Sequence, residues 1–463
     1  MSHSPANHPP LPPGESHGIS WGEAMVAWLE IAALSFGGPA AQIAVMHRVV
    51  VDERRWVSEG RFLHALNYCM LLPGPEAQQL ATYLGWLLHG VPGGLVAGSL
   101  FVLPGFLSIL VLSLLYVYGG DTLLLTGLLA GLKPAVLAFV IEALLRIAQR
   151  VLHGPLLMAL SAAAFLALFL FNIPFPLIIL AAALLGGIGG IWLPGAFAKG
   201  SEAQKEKAEP EFVPVIPDGE ETSYERMVWC LVTAAICLVL WWLPIGLLYW
   251  QLGAEHVLVE QGLFFSQTAM ITFGGAYAVL AYVKQQAVDH YHWLTATQMQ
   301  DSLAMAETTP GPLIQVVQFV AFLGAWQSSS DPITRLWLAL GASVLVTWVT
   351  YLPCFLWIFL GAPFLETVRR WPILNQATTA VTAAVVGVIL HLAVWLTIHT
   401  LWSETNRWSD FGFSIELPQW HRFDWHSAAI AAIAALLLLR IKAGMFVTLA
   451  VSALLGILVK TIL

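Results

Sequence analysis

Four short breaks in apolar sequence carry residue types suited to holding an anion. Ser35-Phe36-Gly37-Gly38-Pro39 and Pro73-Gly74-Pro75 interrupt two apolar segments near the start of the chain. Thr272-Phe273-Gly274-Gly275 and Pro310-Gly311-Pro312 interrupt two more in its second half. Proline suits the first helical position, because its missing N–H is not needed there and its φ is already set. Pro39, Pro75 and Pro312 are therefore predicted to open new half-helices. The glycines before them permit the turn and let a ligand come close to the backbone. Each helix start presents unpaired N–H groups and about half a positive charge, which makes it a ready anion site. Gln78 and Gln315, one turn into their half-helices, add amide donors. Ser35, Thr272, Thr308 and Thr309 add hydroxyls.

Ionisable residues in apolar surroundings are the second group. Glu30 lies two turns before Gly37, Glu76 directly follows Pro75, and Glu307 precedes Thr308-Thr309-Pro310. Such residues are costly in a membrane and point to function by default. A carboxylate buried beside an anion is driven to take up a proton, so these acids are candidates for proton coupling. Glu76 has a plainer reading as an acid at a helix N-terminus. Lys133, before Pro134, either balances anion charge or reaches to the interface along its apolar stem. Glu142 and Arg146, four apart, form an ordinary helical pair. His290 and His292 flank Tyr291 with no third ligand, so no metal site is expected. The four cysteines lie in apolar stretches without metal-type spacing and read as small buried hydrophobes.

The elements that must position these residues are membrane helices. Hydrophobic residues make up 58% of the 463 and charged residues 10%, against about a quarter charged in soluble chains. Apolar runs at Leu95–Tyr118, Leu123–Ile147, Leu156–Phe171, Leu177–Leu193, Met227–Tyr249, Leu336–Leu360, Ala377–Ile398, Ala428–Leu439 and Met445–Leu463 supply the excess. Most reach the roughly 17–25 residues that cross a bilayer. The segments 21–47 and 62–89 are broken in the middle. They read as re-entrant hairpins of half-helices, with a full span for 21–47 the alternative; irregular backbone at membrane depth needs cover from protein or a water-filled cavity.

The breaks recur in register. Ser35 and Thr272, Pro73 and Pro310, Asp52 and Asp289, Trp56 and Trp293, and Gln78 and Gln315 are all separated by one and the same interval along the chain. A shared interval of this kind is the signature of internal duplication. Basic residues concentrate in cytoplasmic loops, and one topology places 14 of the 20 Lys and Arg inside. In that topology a single extra span separates the copies, so the second inserts upside down, as in many secondary transporters. The expected organisation is a disordered tail over 1–20, a first transmembrane repeat over 21–195 and a cytoplasmic linker over 196–225. A connecting helix over 226–250 and an inverted second repeat over 251–463 follow. The fold class is an all-α integral membrane protein with an inverted-topology repeat and broken or re-entrant half-helices.

No nucleotide-binding loop, nucleophile elbow or zinc-protease signature is present, which excludes an ATP-driven pump and leaves no basis for an enzyme. No cofactor and no nucleic-acid partner is expected. The residues alone reach a carrier or channel for a small anion.

Phe36-Gly37-Gly38-Pro39 with Pro73-Gly74-Pro75, repeated as Phe273-Gly274-Gly275 and Pro310-Gly311-Pro312, resembles the chromate ion transporter (CHR) family. The run Asp52-Glu53-Arg54-Arg55-Trp56-Val57 is similar to that family's loop after its first helix. Both halves are covered, as in the long two-domain form. The resemblance implies proton-linked efflux of chromate across the bacterial inner membrane, with sulfate as a mimic, and hence chromate resistance; a homodimer is compatible with it. The second half departs from the pattern in having Ala276 for Pro39 and His290-Tyr291-His292 for Glu53-Arg54-Arg55. An inward oxyanion permease and an anion channel are the alternatives.

Overall fold

A computed structural model describes residues 18–120, 122–192, 215, 224–273, 275–361, 372–410 and 413–462. Most of the expected tail and linker, Gly274, and Arg369 with Arg370 lie outside the described residues. The protein is an all-α membrane protein. Six helices are long and apolar enough to cross a bilayer: Glu76–Gly119, Leu123–Val151, Met227–Leu252, Pro332–Gly361, Asn375–Leu401 and Met445–Ile462. Shorter apolar helices are Pro155–Phe171, Phe175–Gly190, Leu313–Gln327 and Trp425–Ile441. Val239, Leu243, Leu247 and Trp250 on the Met227–Leu252 helix are exposed, as a helix facing lipid requires.

In chain order the helices are α1 (Trp21–Leu34), α2 (Gly38–His47), α3 (Glu59–Cys69), α4 (Glu76–Gly119), α5 (Leu123–Val151), α6 (Pro155–Phe171), α7 (Phe175–Trp192) and α8 (Tyr224–Leu252). They continue as α9 (Val257–Met270), α10 (Ala276–Lys284), α11 (Ala296–Thr308), α12 (Val316–Gln327, led by a tight turn over Leu313–Gln315) and α13 (Pro332–Gly361). The last are α14 (Pro372–Leu401), α15 (Trp425–Ala435, extended by a wide turn to Ile441) and α16 (Met445–Ile462). One element was not anticipated. An antiparallel hairpin of β1 (Thr405–Asp410) and β2 (Phe413–Pro418) fills the loop between α14 and α15.

Local conformation recurs at the interval that relates the two sets of breaks. Ser58 and Thr295 each cap a helix by accepting from the third N–H inside it, Arg61 and Gln298. Wide helical turns follow α2 at Arg48–Glu53 and α10 at Gln285–His290. Each closes with a matching bond, Arg54 N–H to Val49 and Tyr291 N–H to Gln286. Arg55 and His292 share a positive φ of 54°. Later elements match at a second, longer interval: Pro155 with Trp425, Asn172 with Lys442 (both left-handed) and Phe175 with Met445. The added residues include the β-hairpin.

The halves interleave in space. α6 and α7 pack on α14, while α15 and α16 pack on α5. Small residues let these helices approach closely, as membrane packing demands. A Cβ on Gly127 would stand 2.9 Å from the Ile457 Cα, and one on Gly186 would stand 2.6 Å from the Gln376 carbonyl oxygen. At the centre, α4 turns back on itself at His89-Gly90, where Gly90 has φ 62°. Its first part, Ala77–Leu88, and all of Val316–Trp326 in α12 are buried. The helices that follow the Pro-Gly-Pro breaks are thus the most enclosed, which is where irregular backbone is tolerated.

Candidate anion site at four helix starts

Each break opens a helix. Gly37 (φ 86°) precedes α2, with Pro39 its second residue. Pro75 caps α4, Gly275 (φ 102°) caps α10, and Pro312 caps the turn that leads into α12. Pro75 and Pro312 therefore stand one residue outside the position expected of them: their ψ values of 106° and 132° are extended, and the helix begins after them.

The four starts meet around one cavity of about 330 Å³, part of it open to solvent. Pro39 and Gln42 come from α2, and Gly74, Pro75, Glu76 and Ala77 from the start of α4. Thr272, Gly275 and Ala276 come from the start of α10, and Pro312, Leu313 and Ile314 from the approach to α12. Two reciprocal backbone bonds hold them together. Gly74 N–H donates to the Thr272 carbonyl at 2.8 Å, and Gly311 N–H donates to the Ser35 carbonyl at 2.8 Å. Gly74 and Gly311 are repeat equivalents, as are Ser35 and Thr272, so exchanging the two halves turns one bond into the other. Gly74 (φ 124°) has no room for a side chain: a Cβ there would meet Cys354 Sγ and Gln79 Nε2 at 2.8 Å.

Of the candidate residues, Pro39, Gly74, Pro75, Glu76, Thr272, Gly275 and Pro312 line this cavity. Gly37, Gly38 and Gly311 shape its turns without lining it. The expected side-chain donors are engaged elsewhere. Gln78 donates to Thr82 Oγ1 at 3.1 Å, and Gln315 donates to Gln318 Oε1 and Thr347 Oγ1. The hydroxyls of Ser35, Thr272, Thr308 and Thr309 donate to the preceding turns of their own helices, at Ile31, Thr268, Met305 and Ala306. Such back-bonding leaves no hydroxyl proton for a ligand.

The acids separate in the same way. Glu30 accepts from Arg54 at 3.2 Å, and Glu307 accepts from Tyr277 at 2.7 Å. Lys133 forms an ion pair of 2.8 Å with Asp301, which also accepts from Tyr116 at 3.0 Å. Glu142 pairs with Arg146. None of these lines the cavity, and Glu76 is the one ionisable group among the described lining residues.

Two features escaped the sequence. Gln42, 1% exposed, lines the cavity and donates through Nε2 to the Gly311 carbonyl at 2.5 Å, while its Oε1 has no partner among the described residues. Its signal was a lone amide in an apolar helix, three residues after Pro39. The other is a cavity of about 470 Å³, part of it open to solvent, lined by both halves and in part by Asn172, Lys284, Asp289, His391, Trp395 and Glu416. There Lys284 pairs with Asp289 at 2.9 Å and lies 4.9 Å from the centre of the Trp395 ring. The matching pair in the first half is His47 with Asp52 at 3.3 Å. No cluster of His, Cys, Asp or Glu among the described residues is arranged to hold a metal.

Comparison with known proteins adds a family. The sequence model of a family described as "Chromate transporter" matches residues 22–187 and 259–457. A chromate transport protein of Pseudomonas aeruginosa is 30% identical over 380 residues, covering 80% of each chain. One from Cupriavidus metallidurans is 25% identical over 362 residues, covering 78% of this chain and 79% of its own. A probable chromate transport protein of Synechococcus elongatus is 26% identical over 372 residues, covering 79% of this chain and 82% of its own. No solved structure matches the chain.

Proposed function

The chain belongs to the chromate transporter family, and from that premise we propose that it is a secondary transporter exporting chromate from the bacterial cytoplasm across the inner membrane. The family consists of transporters rather than enzymes. The observation that carries the site is the convergence of four helix starts on one cavity with no basic side chain among its described lining residues. An oxyanion there meets backbone N–H groups and helix dipoles that cost no reorganisation. Discrimination then rests on shape and charge, so sulfate competes.

The two halves act as inverted repeats, with the site at their interface and an equivalent face toward each side of the membrane. The reciprocal Gly74–Thr272 and Gly311–Ser35 bonds support this reading. Because α5 carries α15 and α16 while α14 carries α6 and α7, the bodies that move combine helices from both halves. Proton coupling belongs to Glu76, the acid beside the bound anion. Glu30, Glu307 and Lys133 act through their partners as supports.

The test is chromate uptake into inverted membrane vesicles, with and without a pH gradient. Saturable uptake above that of vesicles lacking the protein is expected, reduced by excess sulfate. Uptake no greater than in empty vesicles would sink the proposal.

A further inference from the structure

Resting on the anion site just proposed, we infer that the cavity takes up the oxyanion together with one proton, as a single unit carrying one less negative charge. The carrier then moves anion and proton in the same direction.

Two independent observations lead there. The first is charge. Each helix start contributes about half a positive unit, so four supply about two. A tetrahedral dianion beside an ionised Glu76 carries three negative units. Among the described residues no Lys or Arg lines the cavity, and Arg150, the cation whose charge reaches Glu76, forms no ion pair with it. One proton closes the difference. The second is the chemistry of the side chains. Gln42 is almost fully buried, and one of the two N–H groups of its Nε2 donates to the Gly311 carbonyl. Its free Oε1 only accepts. Ionised Glu76 likewise only accepts, and no hydrogen bond or ion pair holds its carboxylate among the described residues. One amide N–H of Gln42 is left for an oxyanion, but its Oε1 and the ionised Glu76 carboxylate both meet that acceptor as acceptors. A proton changes this, because a protonated Glu76 or a singly protonated oxyanion supplies an O–H that these acceptors can share. At the matching positions the second half has Leu313 and Val279, so nothing there duplicates the pair.

The consequence is a sign. Two ligands that each improve binding of the other are positively coupled, and the coupling is reciprocal. Anion binding draws in a proton, and release of one favours release of the other. Exchange of proton for anion would need the opposite sign.

Calorimetric titration of potassium chromate into the full-length protein in detergent decides it. Working at mildly alkaline pH, where chromate is a dianion, and in two buffers of different ionisation heat gives the proton count. About one proton taken up per chromate is expected, with affinity tightening about tenfold per pH unit on acidification. Glu76→Gln abolishes the uptake, whereas Glu76→Asp retains it. A merely structural acid at a helix start would change affinity without changing the count. Chromate binding with no proton uptake, or with proton release, overturns the inference and leaves the anion site standing. Persistence of uptake in Glu76→Gln overturns it as well. Failure of the wild-type protein to bind chromate overturns both. The wild-type count stands by itself if a variant does not fold.

Discussion

On the side of the cavity built by the first half stand Pro39, Gln42 and Glu76; at the equivalent positions the second half has Ala276, Val279 and Leu313. The backbone is nearly the same on both sides. Gly74 and Gly311 make the same cross-half hydrogen bond, the equivalent Gly38 and Gly275 both have positive φ, and a helix starts at each break. The chemistry of the side chains is confined to one side. Backbone N–H groups and helix dipoles are available to any sequence that folds this way, so both halves supply them. In the proposed mechanism a single proton site and a single amide suffice for one anion, and a second acid would add unbalanced charge. The cavity therefore combines a symmetric electrostatic frame with an asymmetric set of titratable and polar groups.

The largest effect that would break this comparison is expected at the shared frame. Gly74→Ala places a Cβ against Cys354 and Gln79 at a φ of 124°, for a combined strain of about 2–4 kcal/mol. A lowered melting temperature and more than about tenfold loss of chromate uptake should follow. Cys354→Ala should restore part of both. At Gly311 the nearest neighbour is the Gly105 Cα at 3.3 Å, so Gly311→Ala should cost less and gain no relief from Cys354→Ala.

Moving the acid tests the asymmetry itself. With a pH gradient that is acid on the side the anion leaves, Glu76→Leu should lower chromate transport by roughly 5–150-fold, the usual span of a coupling energy. Adding Leu313→Glu, which transfers the carboxylate to the other side of the same cavity, should return part of it. A double variant no better than the single would mean that the two sides are not equivalent in reach of the anion.

The amide is expected to matter less. Gln42→Val makes the first half resemble the second and removes the bond to Gly311, worth about 0.5–1.5 kcal/mol. Chromate affinity should weaken by roughly threefold to tenfold, measured by the same calorimetry. The reverse change, Val279→Gln, should have little effect, because Leu313 offers no polar group to share a proton.

The smallest effect is expected at Thr309. Its hydroxyl donates to Ala306, so Thr309→Val should leave chromate affinity within about twofold. A larger loss would mean that the hydroxyl turns toward the anion on binding.

These contrasts also mark what the sequence could disclose. Gly-Gly-Pro and Pro-Gly-Pro in apolar surroundings announced the helix starts, because few other residues tolerate those backbone angles next to a half-helix. Their common spacing disclosed that the halves match. The side-chain donors were harder to place. Gln78 and Gln315 lie inside the first turn of their helices, where the side chain leaves the axis sideways and finds Thr82 or Thr347 instead. The hydroxyls had a carbonyl of their own helix within reach. Lys133 found Asp301, which lies in the other half of the chain, a pairing that no local pattern announces. The β-hairpin at Thr405–Pro418 was hidden by a long polar loop with weak alternation, and the exchange of helical pairs between halves is a tertiary property.

That exchange has a consequence for how the protein is made. Ribosomes add about 5–20 residues per second, so the partners of the first half emerge roughly 10–50 s after the first half itself. During that interval Gly74 has no Thr272 to bond, and α5 lacks the two helices that will cover its small residues. Until then the polar backbone of the nascent first half lacks its native cross-half partners. Assembly of the site is thereby postponed at least until α10 and the approach to α12 are inserted, and a chain truncated before them would leave an unfinished membrane protein rather than a leaky carrier.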